Sequence, residues 1–171
     1  MAPTLPILRG EVSGRYDGEA RRRARGREIA TIAGRVEAMC AAYCGVELVA
    51  GSDFIRICGS EPRGFDIVLS LVAGGYVLSL GGWHDEFTDV EAALCYMQLA
   101  LAGNLRLKIE CCGRKVRSWV IERRCDDDGW REEGFLIAAP SWWPRPVTTH
   151  YFQNCFALAR GAARGRCELI G

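Results

Sequence analysis

The sequence lacks the short motifs by which many catalytic and metal-binding sites are recognised. It contains no phosphate-binding loop, no dinucleotide-binding glycine fingerprint and no G-x-S-x-G nucleophile motif. It contains only two histidines, and neither an H-E-x-x-H pattern nor a C-x-x-C pair occurs. These absences favour a protein that binds other molecules without catalysis, and we expect neither a metal ion nor a cofactor.

The sequence also lacks long apolar runs. No stretch approaches the roughly 18 apolar residues of a membrane-spanning helix, and residues 1–12 lack the roughly 7–15-residue apolar core of a secretory signal. The nine cysteines are odd in number, which favours reduced thiols over a disulfide framework. We therefore expect a soluble cytoplasmic protein that does not bind membranes.

An excess of charge of one sign is also missing. The 22 basic and 21 acidic residues leave a net charge of +1, so no global field favours nucleic acid. Five arginines nevertheless cluster near the start of the first predicted helix. They are Arg21, Arg22, Arg23, Arg25 and Arg27. They form a candidate nucleic-acid contact, but no aromatic residue that could stack on bases lies among them, so nucleic-acid binding ranks third among our hypotheses.

The length and composition indicate one globular domain. The chain has 171 residues, of which 49% are hydrophobic, and this is enough for a sizeable core. We expect a flexible tail over residues 1–15, a single α+β domain over 16–160 and a second flexible tail over 161–171.

The hydrophobic pattern predicts helices over residues 18–43, 89–102 and 148–160. In the first, apolar residues recur every three or four positions from Ile29 to Tyr43. Before the second, Thr88-Asp89-Val90-Glu91 has the form of a capping box, and Gly103 provides a stop. In the third, aromatic residues share one side.

Alternating or β-branched runs between turn-forming residues predict seven strands. These are residues 46–50, 54–58, 65–72, 76–80, 105–112, 115–123 and 135–138. The links between the first four are too short for parallel crossovers, so neighbouring strands are antiparallel. The element order predicts an α+β fold with a mostly antiparallel sheet of six to seven strands and two main helices packed on one face.

The stretch between the fourth strand and the second helix, Trp83-His84-Asp85-Glu86, is the candidate catalytic site. His84 can act as a general acid–base group, and Asp85 or Glu86 can orient it. His150 is a more distant candidate partner. The alternative is a polar turn whose carboxylates lie near the positive end of a helix dipole. Adjacent residues of an extended chain also point apart, so sequence neighbours need not be spatial partners.

Four tryptophans are candidate binding residues. Trp83 precedes His84, Trp119 lies on an otherwise polar strand face, and Trp142 and Trp143 lie in a proline-rich loop. Tryptophan is enriched at interaction hot spots, yet it also fills cores. We predict that these four contribute to a binding surface, with a lid over the core as the alternative for Trp142 and Trp143.

Two functions are favoured over nucleic-acid binding. The first is a non-catalytic protein-interaction or binding domain, such as a small bacterial adaptor, that associates with a protein partner or with a second copy. The second is a small-molecule-binding protein or enzyme with a cleft near the corner from Gly81 to Glu86, using His84 as acid–base group. An exposed apolar patch favours the first function, and a concave pocket containing His84 favours the second.

Overall fold

The computed structural model describes residues 13–60, 62–138 and 146–159, which form two helices and nine strands. In chain order these are α1 (Ser13–Cys40), β1 (Leu48–Ala50), β2 (Phe54–Ile57), β3 (Ile67–Val72), β4 (Gly75–Leu80), β5 (Trp83–Phe87), α2 (Val90–Leu101), β6 (Leu105–Cys112), β7 (Lys115–Arg124), β8 (Trp130–Ile137) and β9 (Val147–Gln153). The predicted tails, apart from residues 13–15, lie outside the described residues, as do Trp142 and Trp143.

The strands form two antiparallel sheets. The first sheet has the order β1-β2-β3-β4-β5 and the second the order β8-β7-β6-β9. The predicted α+β class with antiparallel strands is confirmed. The prediction of a single sheet of six to seven strands is wrong, because segments expected to be a turn and a helix are the strands β5 and β9. In addition, α2 separates the strands of the two sheets along the chain.

Strand β5 occupies the predicted polar corner. Trp83 pairs with Leu80 and His84 pairs with Ser79. The chain reverses through Gly81, whose φ of 61° is the positive value that tight hairpin turns require. A strand this polar is compatible with the fold because β5 lies at the edge of its sheet, where three of its five residues are exposed.

Strand β9 replaces the predicted third helix. Its sequence, VTTHYFQ, is rich in β-branched and aromatic residues, which fit a pleated surface. It pairs antiparallel with β6 over its whole length, with Phe152 opposite Leu107. The aromatic spacing alone is also compatible with a helix face, and the pairing with β6 selects the strand.

One hydrophobic core joins both helices and both sheets. Its members on α1 belong to the predicted stripe: Ile29, Ile32, Ala33, Val36 and Cys40. Its members on α2 are Ala93, Leu94, Met97, Leu99, Ala100 and Leu101. The second sheet contributes Leu105, Leu107 and Ile121. Because each large apolar side chain buried this fully stabilises the fold by about 1.5–3 kcal/mol, the core fixes which face of each sheet points inward.

The first helix is longer than predicted. It begins at Ser13 and ends at Cys40, so residues 13–15 are helical and not part of a tail. Among the described residues, no helix is long and apolar enough to span a membrane.

The second helix matches its predicted bounds closely, but its cap differs. Asp89, and not Thr88, is the N-cap residue: its Oδ1 accepts from the amide of Glu91 at 3.2 Å and its Oδ2 from the amide of Ala92 at 3.3 Å. An aspartate satisfies these free amides and the helix dipole together. The chain leaves the helix through Gly103, whose φ is 69°, as predicted.

Asn154, directly after β9, connects the second sheet to the loop before β3. Its Oδ1 accepts from the amides of Phe65 at 3.0 Å and Ser60 at 3.3 Å. Its Nδ2 donates to the carbonyl of Phe65 at 3.1 Å. The side chain is buried, so these bonds replace water for backbone groups that have no strand partner.

The cysteines follow the sequence-based expectation only in part. Seven of those in the described residues are not disulfide-bonded: Cys40, Cys44, Cys58, Cys111, Cys112, Cys125 and Cys155. Cys95 is disulfide-bonded, so the expectation of reduced thiols is wrong at this position.

Candidate functional site

The predicted catalytic corner is the edge strand β5, and its strand geometry separates the candidate side chains. His84 lies opposite Ser79 and shares its face with Glu86. Asp85 lies opposite Leu78, whose side chain is in the core, so Asp85 is on the other face of the sheet. Because alternate strand residues point to opposite faces, His84 and Asp85 do not form a pair. All three candidate side chains are exposed.

Asp85 instead lies near a polar cluster between α2 and the second sheet. The hydroxyl of Tyr96 donates to Glu133 Oε2 at 3.0 Å, and Arg123 Nη1 donates to Glu133 Oε1 at 3.4 Å. Burial, followed by the negative charges of Glu133 and Asp85, raises the pKa of Tyr96 to about 12. Tyr96 therefore stays protonated near neutral pH and acts there as a hydrogen-bond donor.

The tryptophans predicted to form a binding surface have different positions. Trp83 is 4% exposed, and its indole packs so closely on Gly134 that a Cβ there would lie 3.1 Å from Trp83 Cζ2. Trp83 is thus a core residue and cannot contribute a contact surface. Trp119 is partly buried against the same core. Trp142 and Trp143 lie outside the described residues.

The arginine-rich part of α1 is a solvated helix surface. The side chains of Arg22, Arg23, Arg25 and Arg27 are exposed. Arg23 pairs with Glu19 one turn earlier, at 2.5 Å. An exposed pair of this kind contributes little to stability.

A different surface stands out, which we call the open face of the second sheet. It consists of the side chains of β6 to β9 that point away from the core. Its three rows, each read from β9 to β8, are Gln153, Arg106, Glu122 and Glu132; Tyr151, Lys108, Val120 and Phe135; and Thr149, Glu110, Ser118 and Ile137. Val147 and Trp130 extend it at its two ends. Leu105 and Leu107 point the opposite way, into the core shared with the helices.

Arg106 links all four strands at one end of the open face. Its Nε donates to Glu122 of β7, whose side chain is buried. Its guanidinium Cζ lies 4.3 Å from the ring centroid of Trp130 on β8 and 4.5 Å from that of Tyr151 on β9. The cation–π contacts and the charge-assisted hydrogen bond position both rings over Arg106. Since Glu122 would otherwise be a buried unpaired charge, Arg106 is a structural part of the face.

Lys108 and Glu110 continue the charge network along β6. Lys108 Nζ lies 3.2 Å from Glu132 Oε1 and 3.7 Å from Glu110 Oε1, and the hydroxyl of Ser118 donates to Glu110 at 2.9 Å. The hydrogen bond to Glu132 raises the pKa of Lys108. The three rows carry two cations and three carboxylates, and the rows of Trp130 and Val147 add Arg124 and Lys115 at the two ends of the face.

Exposed apolar side chains flank this network on both edge strands. On β8, Phe135 is 72% exposed and Ile137 is 60% exposed; on β9, Tyr151 is 46% exposed and Val147 is 40% exposed. Among the described residues, the other exposed large hydrophobics are Val49 and Val72. Four of these six side chains therefore share one face of one sheet.

Three open concavities lie on the described part of the chain. One of about 170 Å³ is lined by Arg123, Arg124, Cys125, Asp126, Arg131 and Glu133. A neighbouring one of about 460 Å³ lies at the β7–β8 turn, and one of about 290 Å³ lies between α1 and α2. None of these three includes His84. Within the described ranges, no group of three histidine, cysteine or acidic side chains is placed to hold a metal ion.

Sequence patterns alone do not identify the open face. The alternation of Arg106, Lys108 and Glu110 with apolar residues is visible in the sequence, and it is the one signal that could have pointed to a charged strand face. The sequence does not assign the flanking residues to this face, because Tyr151 belongs to a predicted helix and Phe135 to a strand whose pairing partner is unknown. No protein-family model, curated protein or solved structure matches this chain.

Proposed function

We propose that the protein is a non-catalytic interaction domain that binds a protein partner through the open face of the second sheet. The observation that carries this proposal is the grouping of Phe135, Ile137, Tyr151 and Val147 on one face. Single exposed apolar residues are common on protein surfaces, whereas clustered ones are typical of interaction sites, and here two pairs lie at the two edges of one face. Aromatic residues are also enriched in such interfaces.

The charges of the open face indicate the chemistry of the partner. Arg106 and Lys108 are both neutralised by carboxylates of the same face, and the side chain of Glu132 is 62% exposed. A complementary partner therefore presents apolar side chains to Phe135 and Ile137 and a lysine or arginine to Glu132. Nucleic acid fits this face poorly, because the two central cations, Arg106 and Lys108, are already paired with carboxylates and are not free to bind phosphates.

Native mass spectrometry of the protein purified gently from its host tests the proposal. We expect a bound polypeptide in the wild type that is lost in the double variant Phe135→Ser/Ile137→Ser. The control is Val49→Ser/Val72→Ser, which removes exposed apolar side chains from the first sheet and should retain the polypeptide. All four positions are exposed, so both double variants should fold.

Two outcomes would contradict the proposal: a bound polypeptide, other than a second copy of this chain, that survives the Phe135→Ser/Ile137→Ser substitution, or the absence of any such polypeptide in the wild type. With the partner in hand, Glu132→Lys should slow association and reverse its salt dependence, since rim charges act mainly on the association rate. An unchanged rate would remove the assigned role of Glu132.

A second candidate function is a small-molecule-binding protein or enzyme at the corner from Gly81 to Glu86. It is supported by the placement of His84, Glu86 and Ser79 on one exposed face of the first sheet. His84 would be the acid–base group and Glu86 the carboxylate that orients it. With folding intact, His84→Ala should abolish binding or turnover, and unchanged activity would eliminate this candidate.

A further inference from the structure

The outer edge of β9 has backbone groups whose directions can be assigned from one hydrogen bond. The carbonyl of Asn104, just before β6, accepts from the amide of Arg124 on β7 at 2.9 Å. Because backbone groups alternate in direction along a strand, even-numbered residues of β6 turn toward β7 and odd-numbered residues turn toward β9. The β9 residues paired with those odd-numbered positions are Thr148, His150 and Phe152. The backbone N–H and C=O groups of Val147, Thr149 and Tyr151 therefore point away from the sheet.

A second hydrogen bond leads to the same assignment. The amide of Gln153 donates to the carbonyl of Arg63, a loop residue outside the sheet, at 2.9 Å. Gln153 lies two residues after Tyr151 and four after Thr149, so the backbone groups of all three turn to the same side of the strand. The bond from the Gln153 amide to Arg63 shows that this side is the outer one. One end of the β9 edge is thus occupied by Arg63. No described residue forms a backbone hydrogen bond with the outward groups of the remaining positions.

The β9 strand also lacks the features that usually protect a sheet edge from pairing. Such edges carry charged side chains or bulges. The edge strand β8 has three consecutive charged residues, and its register with β7 shifts between Ile121 and Glu122 of β7. The edge strand β5 has two carboxylates. By contrast, β9 contains no lysine, arginine, aspartate or glutamate, and its first five residues are all exposed.

We propose that β9 pairs antiparallel with β9 of a second copy of this chain, which joins two four-stranded sheets into one of eight strands. The outward groups select the register. A two-fold axis at Thr149 places Val147 opposite Tyr151 of the second copy and Thr149 opposite its own counterpart, and each of these facing pairs exchanges two backbone hydrogen bonds. An axis at His150 would require the amide of Gln153, which is already bonded to Arg63.

The side chains are compatible with this register. A β-branched residue facing an aromatic residue, and threonine facing threonine, are among the cross-strand pairs that stabilise sheets. No like charges face each other along β9. The two-fold axis is perpendicular to the sheet, so both open faces lie on the same side of the dimer. This inference rests on the backbone edge of β9 and does not depend on the function proposed above.

Sedimentation velocity over a range of concentrations tests the pairing. We expect a wild-type dimer with a micromolar dissociation constant and at least about tenfold weaker association in Thr149→Lys. In the dimer of that variant two lysines face each other on the axis, and their like charges repel. Within each subunit the lysine lies opposite Glu110, so the fold of the subunit stays intact. Thr149→Pro should have the same effect, because it removes the outward amide at an edge position that tolerates proline.

Two controls separate this inference from the proposed function. Thr149→Val keeps the amide and the β-branch and should dimerise like the wild type. Phe135→Ser/Ile137→Ser should lose the protein partner but still dimerise.

Three results would overturn the pairing. One is a wild-type chain that stays monomeric at every concentration, and another is a dimer that is unaffected by both Thr149→Lys and Thr149→Pro. The third concerns hydrogen exchange. The Thr149 amide should gain protection as the protein concentration rises, and equal protection in the dilute monomer would mean that the chain covers its own edge.

Discussion

Replacement of Asn154 by alanine should lower the free energy of unfolding by about 2–6 kcal/mol. The side chain bonds both backbone groups of Phe65, at 3.0 Å and 3.1 Å, and these groups are buried. A buried polar group that loses its partner costs about 1–3 kcal/mol, so the two groups together give the stated range. The amide of Ser60, at 3.3 Å and only partly buried, adds little because water can replace Asn154 there.

Urea unfolding followed by tryptophan fluorescence measures this change, and the neighbouring residue supplies the control. Gln153 Nε2 donates one partly buried hydrogen bond to the carbonyl of Gly103 at 2.6 Å, so Gln153→Ala should cost only about 0.5–1.5 kcal/mol. The Phe65 amide should also lose hydrogen-exchange protection in Asn154→Ala. If Asn154→Ala destabilises no more than Gln153→Ala does, Asn154 does not hold the two sheets together as described.

Three further predictions follow from the packing and the charges. Gly82→Ala should destabilise the fold by about 1–3 kcal/mol in urea, because the new Cβ would lie 2.2 Å from Trp119 Nε1; unchanged stability would contradict this contact. Gly34→Ala should instead stabilise the fold by about 1 kcal/mol, because Gly34 lies in a helix and, apart from its chain neighbours and the helix's own backbone, no heavy atom of the described residues lies within 4 Å of the new Cβ; a loss of stability would refute this. The raised pKa of Tyr96, from 10 to about 12, means that its protonated form is favoured in the folded state. Its contribution to stability is therefore complete below pH 10 and is lost as the pH rises toward 12. Tyr96→Phe should show a shallower fall in unfolding free energy over that interval, and parallel curves would exclude the burial of Tyr96 beside Glu133.

The interaction surface and the pairing edge are neighbouring features of the second sheet, but their experiments are independent. The partner proposal depends on side chains of β8, whereas the dimer depends on backbone groups of β9. In a dimer with its axis at Thr149, the two copies of Tyr151 lie near the centre and the two copies of Phe135 lie at opposite ends. A protein partner could therefore bind each subunit separately, and the stoichiometry measured by native mass spectrometry should be one partner per subunit.

Local sequence patterns determined the elements whose cause is local. The apolar stripe of α1 from Ile29 to Cys40, the bounds of α2 and the strands from β1 to β4 could all be predicted from periodicity, glycine positions and turn residues. The turn at Gly113 was also predictable, since a glycine between two alternating runs favours a hairpin, and its φ is positive as such a turn requires. These features depend on residues a few positions apart, so a short window of the sequence contains most of the information that specifies them.

The tertiary structure alone decided the features that depend on distant partners. The segment from Val147 to Gln153 is compatible with a helix until β6 offers it a complete row of hydrogen-bonding groups. The polar strand β5 exists because β4 lies beside it, and its alternation separates His84 from Asp85. The open face requires the registers of four strands, which place Tyr151, Arg106 and Trp130 together although they lie far apart in sequence. Strand pairing and register determine which side chains come into contact, and a local sequence pattern specifies neither of them.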